Sequence, residues 1–88
     1  MDLQDKVAIV TGAGRGVGRS IAEKMADHGA LLVVTDLDVE SAAAVAQELI
    51  GQGREAEAIA VDVTKQSSVD RMVKGTLVRF GQVDILVN

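Results

Sequence analysis

Four short apolar runs recur along the chain, at Val7–Val10, Leu31–Val34, Ala58–Val61 and Ile85–Val87, and none of them alternates with polar residues. A strand with one wet face would alternate, so unbroken runs predict strands covered on both faces of a sheet. Between the runs the apolar positions fall at helical spacing. The first stretch carries Val17, Ile21 and Met25 with Ala22 and Ala26. The second carries Ala42, Val45, Ala46, Leu49 and Ile50, and the third Val69, Met72, Val73, Thr76, Leu77 and Phe80. Each set makes one apolar stripe on a 3.6-residue helix.

The punctuation agrees. Gly29, Gly53 and Gly81 stand where the helices should stop, since glycine tolerates the left-handed conformation that commonly ends a helix. Asp38 is placed to cap the second helix, and Ser67-x-x-Asp70 to open the third. Gly75, inside the third helix, costs about 1 kcal/mol relative to alanine, which leaves close packing as its reason. The order is βαβαβαβ. Right-handed crossovers then require a parallel sheet with helices on both faces, a doubly wound α/β half.

Composition narrows the class. A length of 88 residues allows one small domain with a thin stability margin, and 48% hydrophobic with 25% charged residues predicts a folded chain. A net charge of −4 with no basic cluster disfavours nucleic acid and anionic membranes as partners. The longest apolar runs are far below the roughly 18 residues needed to span a bilayer. Met1 to Asp5 lacks the features of a secretory signal, and the absence of cysteine points to a reducing, cytoplasmic setting. One histidine and no cysteine leave little room for metal or thiol chemistry. His28 is expected at the surface near the end of the first helix. The most informative zero is tyrosine: chemistry that needs a phenol cannot run inside this chain.

The first strand runs through Thr11-Gly12-Ala13-Gly14-Arg15-Gly16-Val17-Gly18 straight into the first helix, with four glycines in seven residues. A strand-to-helix turn that holds a pyrophosphate needs bare backbone and amides aimed at the anion from the positive end of the helix. The common G-x-G-x-x-G spacing is not met, because Val17 and Arg19 occupy the third positions. Ala13–Ser20 comes within two substitutions of the nucleoside-triphosphate loop, but Arg19 is a poor replacement for a lysine acting as a compact point charge. What is present is T-G-x-x-x-G-x-G, through Thr11, Gly12, Gly16 and Gly18. Polar residues also close the strands: Thr11, Asp36, Asp62 and Asn88 line the carboxyl rim, where open parallel sheets bind ligands.

This set resembles the short-chain dehydrogenase/reductase family over the whole chain. The glycine motif is followed in order by Asp36, by Asp62-Val63, and by Asp84-Ile85-Leu86-Val87-Asn88, similar to the opening of the family's Asn-Asn-Ala-Gly strand. The resemblance implies a Rossmann-type sheet of order 3-2-1-4 and oxidation of alcohols or reduction of carbonyls with NAD(P). Gly12, Gly16 and Gly18 with the amides of Arg15 and Val17 would carry the pyrophosphate. Asp62 and Val63 would border the adenine, and Asn88 would approach the inner ribose. Asp36, 18 residues beyond Gly18, stands near the distance at which an acid bonds the adenosine ribose. Its carboxylate would repel a 2′-phosphate, so NAD is expected over NADP. Arg15 argues the other way, since the family uses a basic residue there to pair with that phosphate.

The family's proton-transferring tyrosine, with its lysine four residues on, has no counterpart in this sequence. No catalytic residue is therefore assigned. Residues 1–88 are expected to be the amino-terminal part of a single dinucleotide-binding domain. The alternative is a stand-alone module that binds nucleotide without catalysis, and the ending within a motif favours the first. The fourth strand would then present an unpaired apolar edge, and an isolated chain is expected to self-associate through it. The full protein is expected to act on a small alcohol or carbonyl compound and to be a homo-oligomer, as the family commonly is.

Overall fold

Seven elements alternate along residues 2–88, which the computed structural model describes: β1 (Val7–Val10), α1 (Gly16–Asp27), β2 (Leu31–Asp36), α2 (Val39–Gly51), β3 (Ala56–Ala60), α3 (Gln66–Phe80) and β4 (Ile85–Val87). The strands form one parallel sheet in the order β3-β2-β1-β4. Val7 pairs with Leu31 and Val10 with Val34, while Ala8 pairs with Ile85 on the other side of β1. Strand alternation sorts the core into two layers. Ala8, Val10, Leu32 and Val34 pack with Ala22, Met25 and Ala26 of α1 and Val45, Ala46 and Leu49 of α2. Val7, Ile9 and Val33 face the other way, onto Met72, Val69 and Val73 of α3.

Near-complete coverage holds only for the two central strands. All four residues of β1 are fully buried, whereas β3 and β4 are partly exposed and Leu86 is 55% exposed. An apolar run alone does not separate a central strand from an edge strand, because both need aliphatic residues on the covered face. The third strand also begins and ends earlier than the apolar run: Val61 lies beyond it, yet is buried against α3. Val17, in the first turn of α1, leaves the apolar stripe of that helix and is 77% exposed.

Asp38 caps α2, accepting the Glu40 and Ser41 amides. Ser67 does not cap α3. That helix starts two residues earlier than a Ser67 cap would set it, after Lys65 and without a side-chain cap, and Ser68 Oγ instead accepts the Asp62 amide at 2.8 Å. Gly29, Gly53 and Gly81 follow their helices with left-handed φ of 96°, 83° and 79°. His28 is the half-buried C-cap residue of α1.

Gly75 does pack closely, because a methyl group there would meet only Ile59 Cδ1, at 3.2 Å. That atom is the end of a flexible side chain bordering open space. Gly75→Ala is therefore expected to stabilise the chain by about 0.5 kcal/mol, the helix-propensity gain less a small packing strain. Chemical denaturation checks this through a raised midpoint.

Candidate functional site

The path of the chain makes the site. From β1 it passes through α1 and α2 on one face to β2 and β3, then returns over the other face through α3 to β4. The loops after β1 and β4 thus diverge, and a crevice opens at the carboxyl ends of the strands. A cavity of about 340 Å³ lies at this rim, lined by Thr11 and Gly12 after β1, Asp36 and Leu37 after β2, and Val61 to Thr64 after β3. Asn88 does not line it. Its Oδ1 accepts the Thr11 hydroxyl at 2.9 Å, and the two residues share a smaller cavity of about 70 Å³ with Val63, Met72 and Leu86.

The turn between β1 and α1 is held by β2. Ala13 N donates to Thr35 O at 2.9 Å, and Gly14 N donates to Asp36 Oδ2 at 3.0 Å, so the pairing of the two strands continues into the turn. The fully buried Thr35 hydroxyl donates to Val10 O at 3.0 Å, satisfying the carbonyl where β1 ends. The other Asp36 oxygen accepts the Asp38 amide, also at 3.0 Å. Asp36 is only 7% exposed, and its carboxylate joins the glycine turn to the start of α2.

The glycines act in two ways. Gly12 and Gly16 have φ of 63° and 61°, the left-handed region that side chains rarely adopt, with open space around both. Gly18 and Gly14 answer to contact. A Cβ at Gly18 would overlap the Gly12 carbonyl oxygen and sit 2.8 Å from its carbon. A Cβ at Gly14 would lie 2.7 Å from Ser41 Cβ and 2.9 Å from Asp36 Oδ2. The turn can follow this path only with bare backbone, which leaves Arg15, Gly16 and Val17 exposed at the head of α1. Arg15 is extended and caps nothing with its side chain, and no acid occupies the first turn of α1. The helix therefore presents amides and a positive dipole end without an internal anion. The start of α3 also lacks a side-chain cap, but no glycine turn opens in front of it. Arg19 is drawn away, bonded to Glu48 on α2 at 2.6 Å, so it does not stand in for a phosphate-binding lysine.

Three carboxylates are held below the ordinary aspartate range by hydrogen bonds. Asp38 is lowered chiefly by the Ser41 hydroxyl, then by backbone amides, with a smaller contribution from the Arg15 guanidinium. Asp62 is lowered by the Thr64 hydroxyl, 2.6 Å from Oδ1, and by the Thr64 amide. Asp84 is lowered by the Val7 amide and the Gln82 side chain, and so fastens β4 to the start of β1. A depressed folded pKa stabilises above the unfolded value of 3.8 and loses that contribution as pH falls through the folded value. The thermal midpoint is expected to hold between roughly pH 7 and 5 and to drop below about pH 4. Asp84→Asn should start from a lower midpoint and drop less steeply.

The T-G-x-x-x-G-x-G motif assigns no separate role to Gly14, and the sequence assigns none to Leu37, Thr64 or Ser68. The fourth glycine in the turn was a visible excess over the motif. Asp-x-Thr at 62–64 is a local turn signal.

A parallel α/β sheet of order β3-β2-β1-β4, with a glycine turn and polar strand ends at its carboxyl rim, defines the Rossmann-type class of fold. The comparisons are narrower. The family profile described as short chain dehydrogenase matches residues 6–88, and the chain belongs to that family. It is 47% identical over its whole length to a sorbitol dehydrogenase of Cereibacter sphaeroides and 40% identical to a galactitol 2-dehydrogenase of Agrobacterium fabrum, covering 33% of each. A hydroxysteroid dehydrogenase from Escherichia coli superposes with a TM-score of 0.96 at 38% identity, over 99% of this chain and 37% of that one. The chain thus spans about a third of the length of the curated relatives it matches. Among the described residues, no helix is long and apolar enough to cross a membrane.

Proposed function

We propose that residues 1–88 form the amino-terminal, dinucleotide-binding part of an NAD(P)-dependent oxidoreductase that interconverts small alcohols and carbonyl compounds, with NAD(H) preferred. The observation that carries this is the bare turn itself, where Gly14 and Gly18 have no room for a side chain and, among the described residues, no side chain caps the α1 amides beyond them. A diphosphate satisfies both the space and the charge. Gly12, Gly16 and Gly18, with the amides of Arg15 and Val17, bind it. Asp36 accepts the adenosine ribose hydroxyls with lone pairs that the Gly14 and Asp38 amides leave over. Asp62 and Val63 border the adenine in the cavity, and Asn88, fixed by Thr11, approaches the inner ribose. When bound, the cofactor supplies hydride transfer at its nicotinamide ring. The proton-transferring groups belong to a further part of the protein, because this sequence contains no tyrosine. Self-association into a homo-oligomer is part of the same proposal.

Asp36 supports NAD(H). A 2′-phosphate brought to a buried carboxylate meets like charge in a weakly screened place, while Arg15 is exposed and its attraction is screened by solvent. Titration calorimetry tests the reading. ADP-ribose is expected to bind about as tightly as NAD, and NADP about tenfold more weakly. Absence of NAD and ADP-ribose binding, or tighter binding of NADP, would contradict it.

A further inference from the structure

Beside the adenine end of the crevice lies a larger cavity of about 440 Å³, between the end of β3 and α3. Leu37, Val61 and Asp62 line both, so the two spaces adjoin across these residues. The remaining wall is apolar at Ile59 and Ala60 and polar at Ser68 and Arg71. Nothing in dinucleotide binding uses Ile59, Ser68 or Arg71. Among the described residues, Arg19, Arg54 and Arg79 each pair with a carboxylate, whereas Arg71 makes no ion pair. Ser68 Oγ accepts the Asp62 amide and keeps its own hydrogen to donate. An apolar passage that ends on an unpaired guanidinium fits an organic group ending in a carboxylate, which that planar fork matches.

We propose that this cleft is a subsite for an anionic substituent carried on the adenine amino group of the dinucleotide, and that Arg71 selects its charge. The proposal rests on the reading that sets adenine beside Asp62 and Val63. A substituent leaving the amino group at Asp62 passes Leu37 and Val61, then meets Ile59 and Arg71. Asp62 is the one acid in the lining. It stands on the shared boundary with Oδ1 already taken by Thr64, while Arg71 lines the larger cleft and not the crevice. A terminal charge on a short spacer that enters the cleft leaves the acid at its boundary and faces the base in its wall.

Calorimetry on the chain with NAD, N6-(2-carboxyethyl)-NAD and N6-(2-aminoethyl)-NAD tests this. The native chain is expected to favour the carboxylate over the amine. In Arg71→Glu the ratio of the two dissociation constants should move about tenfold toward the amine, since charge reversal alters the modest exposed-pair energy of both analogues. Arg71→Gln should fall between. Arg71 is exposed, so neither variant should disturb the fold, and an unchanged NAD affinity shows that the crevice is intact. A ratio that moves less than threefold, with NAD still binding, overturns this proposal alone. Failure of NAD to bind the native chain overturns the dinucleotide reading and this proposal with it.

Discussion

Gly18→Ala is expected to cost about 3 kcal/mol of stability and to abolish measurable dinucleotide binding. The added methyl would overlap the Gly12 carbonyl oxygen, and the next atoms in range, the Gly12 carbonyl carbon at 2.8 Å and Ala13 Cα at 3.2 Å, are backbone too. No side chain can swing aside, so the turn must move away from the helix, and overpacking against a fixed wall costs roughly 1–3 kcal/mol or more. A chain of this size loses about 4–8 °C of thermal midpoint per kcal/mol, so a drop of more than about 10 °C is expected. Gly16→Ala is the matched control, with open space around the new methyl and only the positive φ to bear. It should cost about 1–2 kcal/mol. Circular dichroism melts of the two variants check the order. Equal midpoints would mean that close approach at Gly18 does not shape the turn.

The second large effect is expected at Asp36, and the structure changes what its replacement should do. From sequence alone, Asp36→Ala would merely relax the preference for NAD over NADP. The carboxylate also accepts two backbone amides, from Gly14 and Asp38, in a site only 7% exposed. Hydrogen bonds to a charged acceptor contribute about 1.5–3 kcal/mol each, and amides left buried without partners are costly. Asp36→Ala is therefore expected to lower stability by about 3 kcal/mol, weaken NAD and ADP-ribose binding at least tenfold, and remove the discrimination against NADP. Asp36→Asn should be instructive, because its amide nitrogen must face one of the two N–H donors. It should lose about 2 kcal/mol while its neutral side chain tolerates the 2′-phosphate better. Denaturation midpoints and calorimetry with NAD and NADP separate the two roles. Native-like stability in Asp36→Ala would show that the carboxylate does not hold the turn.

The rhythm of the fold was legible because it rests on local rules. Unbroken aliphatic runs at Val7–Val10 and Leu31–Val34, helical stripes around Met25, Leu49 and Met72, and glycines after each helix are readable one segment at a time. So was the bare turn, since four closely spaced glycines have few other uses. Edge and centre were not. The aliphatic run of β4 looks as apolar as that of β1, but among the described residues β4 pairs only with β1 and leaves Leu86 half exposed. The start of α3 is likewise set outside its own segment. Ser67 and Asp70 form a plausible capping pair on paper, but the loop after β3 sends Ser68 to the Asp62 amide instead.

What the sequence determined by itself was the alternation of elements, the need for backbone without side chains between Val10 and Arg19, and the acids available near the strand ends. All of these depend on residues a few positions apart, where spacing and side-chain chemistry suffice. Only the tertiary structure decided that the Asp36 carboxylate holds Gly14, that Ser41 walls off the same glycine, that Arg19 turns to Glu48 and that Arg71 lines a cleft without an ion pair among the described residues. Each of these joins residues from different elements, brought together when parallel strands align their carboxyl ends. No pattern of neighbours along the chain specifies which side chain will meet which amide across that rim.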